Sequence, residues 1–278
     1  MISKRAFLQG AASTGLTLFG TGRLTPAQAE LVYPARSVKW VVPYTAGGAT
    51  DVLSRLICQR LSEKLGQPFV VENKPGAGSN IGTQAVIASP ADGYTLLLTS
   101  TANAINASFD PALTFDFAKG ITPVAGVARI PLVLVVNNDL AVHDVGEFIA
   151  YARANPGKLA IASSGIGTSL HLSGELFKSL AGVQFTHVPY RGSAPGLTDV
   201  MSGQIHGMFD NVTSSFELVR AGKLRALGIT TRERSDILPD VPSIADTLPG
   251  NASEFGTMLT VETERWRKVV ELSGLKKG

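Results

Sequence analysis

The sequence predicts an α/β protein of two modest domains, and two observations carry that prediction. Short apolar runs alternate with amphipathic stretches from Val38 to Ile229. The alternation restarts after a connecting stretch from Ile121 to Ile130, which contains Pro123 and Gly126. Repetition of strand then helix implies parallel sheets with helices on both faces. The 278 residues leave about 250 beyond an N-terminal leader, enough for two such domains.

Val38 to Val42 reads as a buried strand, a short apolar run closed by Pro43. The turn Thr45-Ala46-Gly47-Gly48-Ala49 leads to a helix capped by Thr50 or Asp51 and ended by Gly66. At 3.6-residue spacing its apolar face holds Val52, Leu53, Leu56, Ile57, Leu61 and Leu65. Phe69 to Glu72 is the next strand. Pro75-Gly76-Ala77-Gly78 then leads to a helix from Asn80 to Ala88, and Thr95 to Thr99 is the third strand. In the second half, Leu132 to Val136 is a strand and Val145 to Ala154 a helix stopped by Asn155-Pro156-Gly157. Leu159 to Ala162 is a strand, and Ser163-Ser164-Gly165-Ile166-Gly167 precedes a helix starting near Thr168. Phe185 to Val188, Ile205 to Phe209 and Ala226 to Ile229 are further strands.

Residues 1–29 carry Lys4 and Arg5, then a weakly apolar stretch from Ala6 to Phe19, then Pro26 and the small-x-small site Ala27-Gln28-Ala29. That is the layout of a cleaved export signal. Lys4-Arg5 also approximates a twin-arginine signal, so both export routes stay open. No later stretch approaches eighteen uncharged apolar residues, so nothing past the leader reads as a membrane span. The formal net charge is +3, and Lys4, Arg5 and Arg23 account for all of it. A neutral remainder has no electrostatic footprint for nucleic acid. The single Cys58 forms no internal disulfide and reads as a small buried hydrophobe. His143, His171, His187 and His206 show no metal-ligand spacing, and no cofactor is expected.

In open α/β sheets, ligands sit beyond the carboxyl ends of the strands. Four segments point there: Tyr44 to Asp51, Asn73 to Gly82, Ser163 to Thr168, and Tyr190-Arg191-Gly192. Glycine lets the backbone approach a ligand closely, and N–H groups at a helix start favour an anion. The expected ligand is therefore acidic, gripped from both halves. Gly76-Ala77-Gly78-Ser79-Asn80-Ile81-Gly82 approximates a dinucleotide fingerprint, but its third Gly is one position late and no acid follows at the required distance. Ser163-Ser164-Gly165 lacks the flanking glycine of a nucleophile elbow. Asp51 and Asp210 could pair as acid and base. Helix capping by Asp51 and strand-end ordering by Asp210 are the simpler roles, and no enzymatic activity is expected.

Several segments resemble the substrate-binding proteins of tripartite tricarboxylate transporters, the Bug family. They include Val42-Pro43-Tyr44-Thr45-Ala46-Gly47-Gly48-Ala49-Thr50-Asp51, Val71-Glu72-Asn73-Lys74-Pro75-Gly76-Ala77-Gly78 and Asp92-Gly93-Tyr94-Thr95-Leu96. Ser164-Gly165-Ile166-Gly167-Thr168, His187-Val188-Pro189-Tyr190-Arg191-Gly192 and Leu238-Pro239-Asp240-Val241-Pro242 continue the match in the same order. The resemblance implies a two-lobed periplasmic-binding-protein-like (Venus flytrap) fold, each lobe a mostly parallel sheet flanked by helices. It implies lobe 1 from 30–125 plus 230–278 and lobe 2 from 126–229, with a small carboxylate in the cleft. Carried over by position, Tyr44, Ala46, Gly47, Gly48, Thr50 and Asp51 form the first-lobe grip, with Ser100 on the same edge. Ser164, Gly165, Gly167, Thr168 and Tyr190 form the second-lobe grip, with Asp210 near the cleft. The implied partners are membrane permease subunits, and the chain is expected to be a monomer. A periplasmic sensor for a receptor kinase would use the same cleft.

The C-terminal part departs from the family pattern. After Leu248-Pro249-Gly250 the chain passes to Asn251-Ala252-Ser253-Glu254-Phe255, and Trp266 to Val270 matches the family's final helix. Roughly forty residues, about one strand–helix–strand unit, are missing by that comparison. The loss would fall on lobe 1, expose a sheet edge and weaken stability, leaving a degenerate copy as a further reading.

Overall fold

The computed structural model describes residues 33–109 and 113–248. The expected leader with its cleavage site, and the expected interruption and final helix after Leu248, lie outside the described residues. From Pro34 onward the described chain belongs to one compact unit.

The first half builds a three-stranded parallel sheet in the order β2-β1-β3. Its elements are β1 (Val38–Val42), α1 (Ala49–Leu65), β2 (Phe69–Asn73), α2 (Asn80–Ile87), β3 (Thr95–Leu97), α3 (Thr101–Phe109) and the short α4 (Phe117–Gly120). β1 lies in the middle because its apolar run can be covered on both sides, and Val38, Trp40 and Val42 pack with Cys58, Phe69 and Leu98. Trp40 Nε1 donates to Ser54 Oγ at 3.0 Å, giving its polar edge a buried partner. Burial pushes the Cys58 thiol up to about 11, so it remains a protonated, unreactive core group.

α1 departs from its sequence reading in two ways. Its N-cap is Gly48, which supplies no side-chain cap; Asp51 instead sits in the first turn and accepts from Gly47 N–H at 3.0 Å. Its inward residues are Ala49, Asp51, Ser54 and Cys58, whereas Val52 and Leu56 are 50% and 59% exposed. The expected apolar stripe therefore marks the packed face only in part: Ile57 and Leu61 pack on the core, and Val52 and Leu56 do not. The small and polar residues turn inward because Asp51 and Ser54 have bonding partners there.

The second half builds a five-stranded sheet in the order β6-β5-β7-β4-β8. Its elements are β4 (Leu132–Val136), α5 (Val145–Ala154), β5 (Ala160–Ser163), α6 (Ser169–Ala181), β6 (Thr186–Pro189), α7 (Ser193–Met201), β7 (Gly207–Asn211), α8 (Val212–Arg220) and β8 (Arg225–Ile229). β5 runs parallel to β6 and β7, but β4 is antiparallel to both β7 and β8. Four strands thus share one direction and β4 opposes them, which refines the expected parallel sheet. β4 is fed by the connection from the first sheet rather than by a crossover helix within its own. The handedness rule for parallel crossovers therefore does not set its direction.

β4 is buried along its whole length. Period-two alternation sends Leu134 and Val136 to one face, against Phe148, Phe177 and Phe209. It sends Val133 and Val135 to the other face, against Leu197, Val200 and Met208. A continuous apolar run is what a doubly covered strand requires. α3, α7 and α8 lie where the sequence reading places no helix. Each is nine residues long and rich in Ser, Thr, Asn or Pro, so packing rather than propensity makes them helical. Among the described residues, no helix is long and apolar enough to cross a membrane.

Candidate functional site

The loops that leave β2, β5 and β6 at their carboxyl ends meet around one cavity of about 520 Å³. The β2 side contributes Gly76 to Asn80, and α3 contributes Asn106. Ser164, Gly165 and Ile166 come from the loop after β5, and Pro189, Tyr190 and Arg191 from the end of β6. The size is that of a small-molecule pocket.

The β2 side is conformationally unusual. Gly76, Ala77, Gly78 and Ser79 have φ of 128°, 47°, 57° and 86° in succession. Ala77 and Ser79 are the only non-glycine residues with positive φ among the described residues. Such backbone costs on the order of 1–3 kcal/mol per residue and concentrates at binding sites. Gly78 also permits close approach across the cleft: a methyl there would fall 2.2 Å from the carbonyl oxygen of Ile166. One at Gly167 would fall 1.9 Å from Asn106 Oδ1. Asn106 is buried, and its Nδ2 donates to Gly78 O at 2.7 Å. Asn106 is thus wedged between the two facing loops.

Both glycine amides of the loop after β5, and that of Thr168, are occupied internally. Gly165 N–H donates to Ser163 Oγ at 3.1 Å, Gly167 N–H to His171 Nδ1 at 3.3 Å, and Thr168 N–H to Gly165 O at 3.3 Å. Thr168 caps α6 by accepting from His171 N–H. Below the loop, His187 Nε2 lies 2.6 Å from Ser163 Oγ, and its ring stacks on that of His171 with centroids 4.0 Å apart. Burial, reinforced by the neighbouring His171, holds His187 down at about 4, so its ring is neutral at neutral pH, and burial also lowers His171. The backbone N–H groups of Ala77, Gly78, Ser164 and Ile166, all in the cavity wall, make no hydrogen bond among the described residues.

The structure brings Ser164, Gly165 and Tyr190 of the expected grip into this wall. The Tyr190 hydroxyl donates to Asp199 at 2.5 Å. The first-lobe loop is placed differently. Thr45 packs against Gly192, and Gly47 and Gly48 approach Ala194 and Ser193 at the start of α7. These glycines serve contact between chain segments. Ala46 is exposed and Thr50 half-buried on that loop, outside the cavity wall. Buried Tyr44 shares a 2.8 Å hydrogen bond with Ser100.

Both aspartates are committed elsewhere. Asp51 receives Arg55 Nε at 3.0 Å and Arg55 NH2 at 2.9 Å, together with Gly47 N–H and Asn73 Nδ2. Burial acts to raise its carboxyl, and the Arg55, Gly47 and Asn73 donors outweigh that and hold it below the usual range. Asp210 is fully buried and accepts from the hydroxyls of Ser193, Ser214 and Ser215. It ties the starts of α7 and α8 to β7 and offers a ligand no surface. The two carboxylates brace loops and do not form an acid–base pair across an open cleft.

The residues that sequence reasoning left out of the grip are Gly76 to Asn80, Asn106, Ile166, Pro189 and Arg191. A signal existed for the first group, since the Gly-Ala-Gly-Ser run opens a helix at the correct sheet edge. Asn106 had none, because α3 itself was not legible.

A family model described as tripartite tricarboxylate transporter family receptor matches residues 53–263. A protein from the tcbD-tcbE intergenic region of Pseudomonas sp. strain P51 is 41% identical over 238 residues, covering 85% of this chain and 71% of that one. BugT of Bordetella pertussis is 38% identical over 234 residues, covering 84% and 72%. Among solved structures, R. palustris Rpa4515 with adipate aligns at a TM-score of 0.78 and 34% identity, covering 87% of this chain and 98% of that one. MatC from Rhodopseudomonas palustris with bound malate aligns at 0.72 and 33% identity, covering 78% and 74%.

Proposed function

The chain belongs to the tripartite tricarboxylate transporter receptor family as a periplasmic solute-binding protein, not an enzyme, and we propose that it captures a small organic carboxylate in the cavity between the β2 loop and the loops after β5 and β6. One observation carries this reading. Ala77, Gly78, Ser164 and Ile166, whose amides make no hydrogen bond among the described residues, line the cavity from both sides, and none of its described lining residues is a carboxylate. A hydrogen bond to a charged acceptor contributes roughly 1.5–3 kcal/mol. A few of them reach the roughly 8 kcal/mol of a micromolar complex.

In this reading the two sheets head two lobes, 30–125 with 230–278 and 126–229. The strained β2 loop and the β5 loop face each other across the cleft. The exported chain, freed of residues 1–29, acts as a monomer and presents its loaded form to membrane permease subunits. Adipate and malate bound to the two R. palustris relatives support the ligand class. Ser79, Asn80 and Asn106 add polar side chains to the wall, alongside the expected Ser164, Gly165 and Tyr190. Calorimetric titration of the folded protein with di- and tricarboxylates, amino acids and aromatic acids tests the proposal. Micromolar binding of at least one carboxylate is expected. A folded sample that binds none of them removes the reading.

A further inference from the structure

His171 holds the loop after β5 through both its backbone and its ring. Thr168 is the N-cap of α6, and its Oγ1 accepts from the backbone N–H of His171 at 3.3 Å. In return the ring Nδ1 of His171 accepts from Gly167 N–H at 3.3 Å. Reciprocal locks of this kind at a helix start ordinarily use Glu or Gln as the returning acceptor. An imidazole in that role can be switched off. A backbone amide only donates, so the bond exists only while Nδ1 carries no proton. An imidazolium is a donor at both nitrogens. The positive end of α6 further disfavours a cation there.

The held glycine reaches the cavity through one contact. Gly167 packs so closely on Asn106 that an added methyl would fall 1.9 Å from Oδ1. Asn106 lines the cavity and donates to Gly78 O at 2.7 Å. Among the described residues, the ionisable groups around the His171 ring come from β6 and from α6 itself. His187 of β6 stacks on it with centroids 4.0 Å apart. Glu175 lies 3.7 Å from Nε2 and is paired with Lys178 at 2.7 Å. Burial disfavours a proton on the ring, Glu175 opposes that, and Lys178 adds to it, leaving His171 below its ordinary 6.5. The neutral ring is thus fully present above about 6.5 and is lost as pH falls through the lowered value.

We infer that His171 is a positioning residue whose neutral ring latches Gly167, and that a proton on Nδ1 releases the loop after β5 from the start of α6. The consequence for binding rests on the capture reading above: acid loosens the wall at Asn106 and weakens carboxylate affinity.

Hydrogen exchange of the Gly167 amide tests the latch without any bound acid. It is read by NMR from pH 7.5 to 5 and normalised to the intrinsic rate at each pH, with the His171 ring nitrogens titrated in the same samples. Wild-type protection is expected to fall about threefold or more as the ring takes up its proton. His171→Asn, whose Oδ1 keeps an acceptor near the place of Nδ1, is expected to stay protected throughout. His171→Leu has no acceptor and is expected to be as unprotected at pH 7.5 as the wild type is at pH 5. Thermal melts establish that the variants are folded. Protection that persists in folded His171→Leu overturns the latch. Constant wild-type protection across the protonation of the ring, or a ring that stays neutral down to pH 5, overturns its control by protons. Calorimetry with adipate and with malate at the two pH limits tests the consequence. The acids' own titration is common to all the proteins, so wild-type affinity is expected to fall about threefold further than that of His171→Asn. Equal falls overturn the part of the latch in capture. Binding of neither acid counts against the capture reading, and the exchange result still decides the latch.

Discussion

Gly167 and Gly78 are where a single atom decides most. Added Cβ atoms would lie 1.9 Å from Asn106 Oδ1 and 2.2 Å from Ile166 O. At Gly167 the φ of 75° adds a left-handed penalty of about 1–2 kcal/mol. Gly167→Ala is therefore expected to weaken ligand binding by about tenfold or more, equivalent to about 1.4 kcal/mol. Calorimetry with the tightest acid found is the measurement, and unchanged affinity would show that the Asn106 contact is not needed in the bound state. His187 offers a test in pH. Its folded value of about 4 lies below the reference of 6.5, so the folded state favours the neutral ring. The stability this contributes is fully present above about 6.5 and is lost as pH falls toward 4. His171, Glu175 and Lys178 are the titratable groups that act on it. The melting temperature is expected to drop across that window in the wild type, and His187→Gln is expected to flatten the drop.

α1 shows how an element can be anchored by its polar residues. Asp51 joins Arg55, Gly47 and Asn73, thereby tying the first turn of α1 to its preceding loop and to β2. Asp51→Asn removes the charge from these bonds and leaves the guanidinium without its counter-charge. A loss of about 1–3 kcal/mol is expected. That corresponds to a melting temperature lower by several degrees at neutral pH. Because the Asp51 carboxyl is held below its ordinary range, its contribution is present above the unfolded value and disappears as pH falls through the folded one. The difference between Asp51→Asn and wild type should accordingly narrow in acid. The helices that could be read beforehand were those with clear ends, such as α5 before Asn155-Pro156-Gly157 and α6 after Thr168. α3, α7 and α8 lacked such punctuation, and with α3 went the only route to Asn106.

At the scale of the molecule the two sheets are unequal. The five-stranded sheet has core on both faces, with Phe148, Phe177 and Phe209 on one and Leu197, Val200 and Met208 on the other. The three-stranded sheet is smaller, and among the described residues the outer edges of β2 and β3 pair with no further strand. Local opening follows burial and edge protection. Amide exchange in Val38–Val42 is expected to be faster than in Leu132–Val136, read by mass spectrometry on the unliganded protein. Equal protection in the two strands would overturn this ranking.

The sequence by itself determined the α/β class, the order of the strands along the chain and the sheet edge from which the loops rise. These follow from local apolar period, from Gly and Pro punctuation and from the handed geometry of crossovers. It also determined the neutrality of residues 30–278, the end of α1 at Gly66 and the start of α6 after Thr168. Tertiary structure alone decided which loop faces the cavity and which glycine faces protein. It turned the Tyr44 to Asp51 loop against α7, put Gly76 to Asn80 beside Gly165, and set Asn106 and Arg191 in one wall. It also reversed β4. The physical reason is common to all of these. An amide or a glycine carries no mark of its partner in the local sequence, and whether it is free depends on atoms that arrive from a hundred residues away.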